Sequence, residues 1–262
     1  MCTAGRSFEK RIKEVFFKRL PNVKVVVFDE IESTNTEAKK YAACSDSGEA
    51  VLFIAKKQIA GRGRLGRSFL SQEGGLYISY LSYPHVPIQN AIKLTAFAAT
   101  ALCETVYEFT GIEPKIKWVN DCFIGDKKLA GILTEGEFDE SGKAFKYTVV
   151  GIGVNLARVD FGDLSDIATS LEAETGSLPD IAEFSAALAR RLLDFDIAKE
   201  KVYMKKYREL SMLPGRRIKV ITSRETYFAT AEKIEDDGSL TVVKDSGETV
   251  NLISGDVSIR PE

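Results

Sequence analysis

Histidine is almost missing from this chain: there is one, His85, in 262 residues. Ser–His and Cys–His catalysis needs an imidazole beside a nucleophile. No serine or cysteine here carries a motif that would pair with His85, which lies between Pro84 and Pro87 in an expected turn. His85 is therefore read as structural or solvent-exposed, and catalysis has to run on lysine, arginine, aspartate and backbone groups. Cysteine is scarce too. Cys2, Cys44, Cys103 and Cys122 are scattered without a C-x-x-C spacing, so neither a disulfide framework nor a zinc site is expected. No apolar run approaches the roughly 18 to 20 residues of a membrane span, and Met1 to Arg6 lacks the apolar core of a signal peptide. The expected location is the cytoplasm, away from membranes. Excess charge is also absent: a net charge of −2 and a pI near 5.8 exclude a strongly basic nucleic-acid binder. A hydrophobic content of 44% describes an ordinary globular chain with room for one large core and one small domain.

What is present is Gly61-Arg62-Gly63-Arg64-Leu65-Gly66-Arg67-Ser68, where glycines that free the backbone alternate with arginines of fixed charge. Such a loop turns several N–H groups toward one anion, and the guanidinium groups add bidentate donors, so it suits phosphate. Three readings compete. As G-x-G-x-x-G it matches the dinucleotide fingerprint, but Leu76 to Tyr83 alternates like a strand where a helix is required, and Pro84 to Pro87 has no acid. As G-x-x-x-x-G before Arg67-Ser68 it is one substitution from a P-loop, and Val25 to Glu30 imitates the acidic strand of that motif; the lysine and helix are missing and the order is reversed. The third reading is a solvated basic surface loop.

Periodicity supplies the frame. Phe8, Ile12, Val15, Phe16 and Leu20 recur at helical spacing over Arg6 to Leu20, and Val23 to Phe28 reads as a buried strand. Ser33 to Glu37 looks like a helix start, with Thr34 and Glu37 in capping-box register. Val51 to Lys56 is a strand, and Ile88 to Thr110 an alanine-rich buried helix closed by Gly111. Strands are expected at 115–118, 122–124, 128–138 and 145–154, a short helix near Ile167 to Thr175, and a long one from about Asp180 to Leu210. Beyond Leu213-Pro214-Gly215 come five short β segments, broken at Ser223-Arg224, Asp236 to Gly238, Asp245 to Gly247 and Gly255-Asp256, the pattern of a small barrel.

Around the loop stand, in order, Ser33-Thr34-Asn35, Gln58, Lys117-Trp118-Val119-Asn120-Asp121, Lys128-Leu129-Ala130-Gly131-Ile132-Leu133 and Gly151-Ile152-Gly153-Val154-Asn155. In this order and spacing the chain resembles the biotin protein ligases over about residues 25–157. The resemblance implies an α+β fold: a mixed β-sheet with helices, of the class II aminoacyl-tRNA synthetase/biotin ligase kind, over residues 1–212, and an SH3-like β-barrel over 213–262. It implies an enzyme that uses ATP, with Mg2+, to convert biotin to biotinyl-5′-AMP. The enzyme then passes biotin to one lysine of the biotin carboxyl carrier protein domain of biotin-dependent carboxylases. Ser33, Thr34, Asn35 and Gln58 would satisfy the ureido head group. Gly61, Gly63 and Lys117 would join them, and the 128–133 strand with Gly131, Gly151 and Gly153 would form an apolar wall with room for the ligand. Arg62, Arg64, Arg67, Phe69, Asn120 and Asn155 would meet the nucleotide, and Lys117, Arg62 and Arg64 would stabilise charge at the α-phosphorus.

Three positions depart from the family pattern: Leu65 replaces an arginine, Val119 a proline and Phe69 a tryptophan. The 22 residues before the first expected strand are too few for the three-helix DNA reader of repressor-type ligases, so no DNA partner is expected; the resemblance admits a homodimer. Two rivals stay open. A lipoate or octanoate ligase or transferase would share the fold, but its apolar ligand does not need the Ser-Thr-Asn and Gln cluster. A non-enzymatic nucleic-acid binder would use the arginines and the barrel as an electrostatic surface.

Overall fold

Strands of apolar and alternating pattern collect into one large mixed sheet, described with its helices over residues 7–45, 48–84, 86–222, 225–253 and 256–259 of a computed structural model. His85 and the Ser223-Arg224 break lie outside the described residues. The chain runs α1 (Phe8–Arg19), β1 (Lys24–Ile31), α2 (Thr34–Cys44), β2 (Val51–Gln58), β3 (Gly75–Ser82) and α3 (Ala91–Thr110). It continues through β4 (Lys115–Lys117), β5 (Asp121–Ile124), β6 (Lys127–Phe138) and β7 (Phe145–Asn155), then α4 (Leu171–Thr175), α5 (Ile181–Leu193) and α6 (Glu200–Leu210). Seven strands pair in the order β1-β2-β3-β7-β6-β5-β4, with β1 and β2 parallel and the other neighbours antiparallel.

The helices cover this sheet because their apolar faces have nowhere else to go. Alanines 96, 98, 99 and 101 of α3 are buried, and their small side chains let the helix sit close to the strands. Gly111 ends α3 in the left-handed region at φ 71°, its N–H bonding the Tyr107 carbonyl at 2.8 Å. Helix α1 buries Ile12, Val15 and Phe16 and packs on α5.

Two expected helices change on folding. The span from Asp180 to Leu210 is two helices, because the short polar side chains of Asp194 and Asp196 favour capping over helix interior: Asp194 ends α5 and Asp196 accepts from Ala198 N at 2.9 Å to restart the chain. The break seats Phe195 against Phe97, ring centres 5.1 Å apart. The expected 167–175 helix shrinks to α4. In α2 the N-cap is Ser33, accepting from Thr36 N at 3.4 Å, so Thr34 is the first helical residue and the Thr34–Glu37 capping box does not form.

The C-terminal module holds β8 (Arg217–Ile221), β9 (Thr226–Ile234), β10 (Leu240–Lys244), β11 (Thr249–Leu252) and β12 (Asp256–Ile259), antiparallel in the order β11-β10-β9-β8-β12. Its buried Ile218, Val220, Ala231, Leu240 and Val242 belong to the same continuous apolar core as Trp118, Leu210 and Leu213 of the larger unit.

Candidate active site

Strands β6 and β7 lay a floor with little side chain on it, because Gly131 opposes Gly153 and Leu133 opposes Gly151 in their register. Two groups rest on that floor. A methyl group added to Gly151 would overlap Asn35 Oδ1 and come within 2.7 Å of its Cγ; one added to Gly153 would come within 2.5 Å of Phe69 Cε1. The sequence reading gave these glycines the task of making room for a ligand. In the folded chain the room at Gly151 holds the Asn35 amide, and that over Gly131 and Gly153 holds the Phe69 ring. Phe69, assigned to the nucleotide, thus lies on the floor assigned to biotin.

The polar end of the cavity is a buried hydrogen-bond network at the start of α2. Gln58 Oε1 accepts from Thr34 N at 2.8 Å, while Gln58 Nε2 donates to Ser71 Oγ at 3.0 Å. Asn35 Nδ2 donates to Glu135 Oε2 at 2.8 Å and Leu133 O at 3.2 Å, and Glu135 also pairs with Lys39 at 2.5 Å. A carboxylate only accepts, so Glu135 fixes which way the amide faces. Asn35 Oδ1 likewise only accepts, so it takes the proton of Ser79 Oγ at 2.6 Å. The Thr34 hydroxyl proton then has two acceptors, Ser79 Oγ at 2.7 Å and Gln58 Oε1 at 3.0 Å. Ser33, Thr34, Asn35 and Ser79 are all buried, and hydroxyls and amides held there in fixed orientation suit a ligand with both donors and an acceptor.

The glycine–arginine segment closes the other side as a two-stranded flap. Gln58 N bonds Ser71 O at 3.0 Å, Phe69 N bonds Gly61 O at 2.9 Å and Gly63 N bonds Arg67 O at 2.7 Å. A side chain at Gly61 would overlap Ser71 Oγ, which is why the flap needs glycine there. The tip carries Leu65 at φ 55°, 74% exposed. Toward the cavity the flap presents Arg62, Arg64, Arg67, Ser68 and Phe69. Arg64 Nη1 donates to Asn120 Oδ1 at 3.0 Å, and Asn120 Nδ2 donates in turn to Ile132 O and Asp121 Oδ1, both at 3.0 Å. Lys128 Nζ lies 2.8 Å from Asp121 Oδ1 and 5.7 Å from the centre of the Phe69 ring. Burial pushes the Tyr77 phenol up, leaving it a neutral donor to Gln72 O at 2.7 Å beneath the flap.

The result is one cleft, open to solvent, with a neutral polar end and a cationic end. Most of the residues chosen from sequence line it: Ser33, Thr34, Asn35 and Gln58 at the polar end, Arg62, Arg64, Arg67 and Asn120 at the other, with Gly63, Phe69 and the three floor glycines between. Three do not. Gly61 is packed inside the flap, and Asn155 donates to Thr169 O at 3.0 Å at the end of β7. Lys117 is half-buried at the end of β4, its Nζ 5.7 Å from the Phe123 ring centre, although it pairs across the hairpin with Asp121, which does line the cleft. Sequence reasoning passed over Ser79, Asp121 and Glu135 and took Lys128 only as part of an apolar wall. The one available signal was Ser79 in the middle of β3, a small hydroxyl flanked by Ile78 and Tyr80 on a strand whose other serine, Ser82, stands at its end.

Residues 27–155 match the Biotin/lipoate A/B protein ligase family, and residues 215–260 match the Biotin protein ligase C terminal domain. The bifunctional ligase/repressor BirA of Bacillus subtilis is 30% identical over 263 residues, covering 97% of this chain and 80% of the relative. The biotin–[acetyl-CoA-carboxylase] ligase of Paracoccus denitrificans is 38% identical over 164 residues, 60% of this chain and 67% of the relative. The biotin protein ligase of Aquifex aeolicus in complex with biotin and ATP superposes with a TM-score of 0.77 at 26% identity, covering 91% of this chain and 99% of that one. The chain belongs to the biotin protein ligase family.

Proposed function

We propose that the cleft activates biotin with ATP as biotinyl-5′-AMP and then transfers biotin to a lysine of a biotin carboxyl carrier protein domain. The observation that carries this reading is that one cleft joins a buried, neutral hydrogen-bonding pocket to three arginines and a lysine, with Asp121 the only carboxylate among its described lining residues. The neutral end, from Ser33 to Gln58, takes the ureido group. The cationic end takes the carboxylate and the phosphates. When the biotin carboxylate oxygen attacks the α-phosphorus, pyrophosphate leaves and negative charge crowds the reacting centre. Arg62, Arg64 and Lys128, which line the cleft, are assigned to offset it, and Lys117, on the hairpin face that carries Asp121, is assigned the contact that strengthens toward the transition state. In the second step the carrier lysine nitrogen attacks the acyl carbon and AMP leaves. For either step Phe69 must vacate or flatten against the glycine floor, since ring and ligand share that space.

Magnesium enters this reading as part of the substrate MgATP. Mg2+ binds through one or two carboxylates plus phosphates, and Asp121, the one carboxylate among the described lining residues, is the donor that would share it; its pairing with Lys128 would then loosen. Residues 1–212 are assigned to the catalytic unit and 213–262 to the small barrel, and the place of work is the cytoplasm. No described helix is long and apolar enough to cross a membrane. The test is pyrophosphate release from ATP with biotin, with lipoate or with neither added. Release with biotin alone supports the reading, and release with lipoate but not biotin overturns it.

A further inference from the structure

The turn that joins β4 to β5 carries Asn120 and leads into Asp121, so its placement decides where Arg64 and Lys128 find their partners. On the cleft side it is tied to β6, the Asn120 carbonyl accepting from Ile132 N at 2.9 Å and Asn120 Nδ2 donating to Ile132 O at 3.0 Å. The two residues before Asn120 are held from outside the cleft: Trp118 Nε1 donates to the Gly238 carbonyl at 2.9 Å, and Tyr207 Oη on α6 donates to the Val119 carbonyl at 2.9 Å. All four residues are buried, Tyr207 completely. Gly238 sits in the β9–β10 turn at φ 87°, and a side chain there would overlap Ile92 at the start of α3, so the turn is seated as closely as a backbone can be. The turn is internally braced as well, Asp237 Oδ1 accepting from Ser239 N at 2.9 Å and Ser239 Oγ at 2.6 Å. Helix α6 ties the two supports together, since Arg208, next to Tyr207, pairs with Asp236 at 3.0 Å.

We infer that Tyr207 and the β9–β10 turn of the C-terminal module form a clamp that positions the 118–121 segment for adenylate formation, an inference that rests on the ligase reading for its reaction. The clamp residues touch no cleft surface; Tyr207, Trp118 and Gly238 are positioning residues. A buried indole N–H and a buried phenol each need an acceptor; here one contact from the barrel module and one from α6 converge on the single turn that carries Asn120. With them, the Asn120 side chain is held on a frame fixed from two sides, and the flap arginine closes on a preset partner.

Trp118→Phe keeps one aromatic ring but removes the donor together with the five-membered ring; Tyr207→Phe removes one oxygen and is the cleaner of the two. Each should lower the adenylation rate at saturating ATP and biotin about tenfold, with biotin affinity by calorimetry within about twofold of the parent, because a displacement of the reacting geometry acts on turnover more than on a distant head group. Amide hydrogen exchange over 118–121 should quicken in both variants and in Gly238→Ala, a readout that needs no turnover. If Trp118→Phe does not fold, Tyr207→Phe decides alone. Unchanged exchange, turnover within about twofold of the parent, or turnover and biotin affinity falling together would overturn the clamp. If the parent itself released no pyrophosphate with biotin, the ligase reading would have failed, and exchange alone would still decide whether the barrel turn holds the segment.

Discussion

Gly151→Ala tests the floor of the cleft most directly, because the three atoms nearest the carbon it adds all belong to the Asn35 amide. Its Cβ would overlap Oδ1 and lie 2.7 Å from Cγ and 2.9 Å from Nδ2, so Asn35 has to move. Moving it gives up the contact to Glu135 at 2.8 Å and those to Leu133 O and Ser79 Oγ. Overpacking a rigid core costs about 1–3 kcal/mol, and a hydrogen bond to a charged partner contributes about 1.5–3. The protein takes the cheaper mixture of strain and broken bonds, so Gly151→Ala should lose about 3 kcal/mol. Asn35→Ala should lose about 2–3 kcal/mol through the same bonds. If the two acted independently, the double variant would lose about 5–6 kcal/mol; since Asn35→Ala removes the atoms that the new methyl meets, the expected loss is about 3. Urea unfolding of the four proteins measures the coupling. A double-variant loss within about 0.5 kcal/mol of the sum of the singles would show that the two residues do not compete for one space.

Lys117→Ala should lower single-turnover adenylation by on the order of 100-fold while leaving biotin affinity nearly unchanged; near-parental turnover removes Lys117 from the mechanism. Arg64→Gly deletes the contact to Asn120 and adds flap entropy, so the adenylate should escape faster and label bystander lysines, against labelling confined to the carrier if Arg64 has no retaining role. For Asp180, burial opposes ionisation, but the bond from Arg11 at 2.6 Å and the amides of Glu183 and Ala182 outweigh it and hold the carboxyl below its ordinary 3.8. A depressed carboxylate stabilises the fold above its unfolded value, so Asp180→Ala should cost about 1 kcal/mol at neutral pH, and thermal melts should show that cost fading as pH falls below 3.8; a cost independent of pH refutes the assignment.

How much of this was readable beforehand follows from the range over which each feature is encoded. Strands β2, β3, β6 and β7, helix α3 with its Gly111 stop, and the five C-terminal strands appear in the sequence because alternation, alanine spacing and turn residues act within a few positions. The order of the glycine–arginine loop, the Ser33 helix start and the 128–133 and 151–155 strands was enough to identify the family and most of the cleft wall. Asn35 and Glu135 meet across 100 positions and Trp118 and Gly238 across 120, so no local pattern marks either pair. Only the register of β6 on β7 puts Gly131 beside Gly153 and thereby makes a seat for Phe69, and only the hairpin geometry brings Lys128 into the cleft while Lys117 lies over Phe123. Side-chain identity and short-range spacing determined which chemistry is available; the close packing of distant segments decided which groups face one another, because a buried polar atom takes whatever partner the folded backbone sets within hydrogen-bond reach.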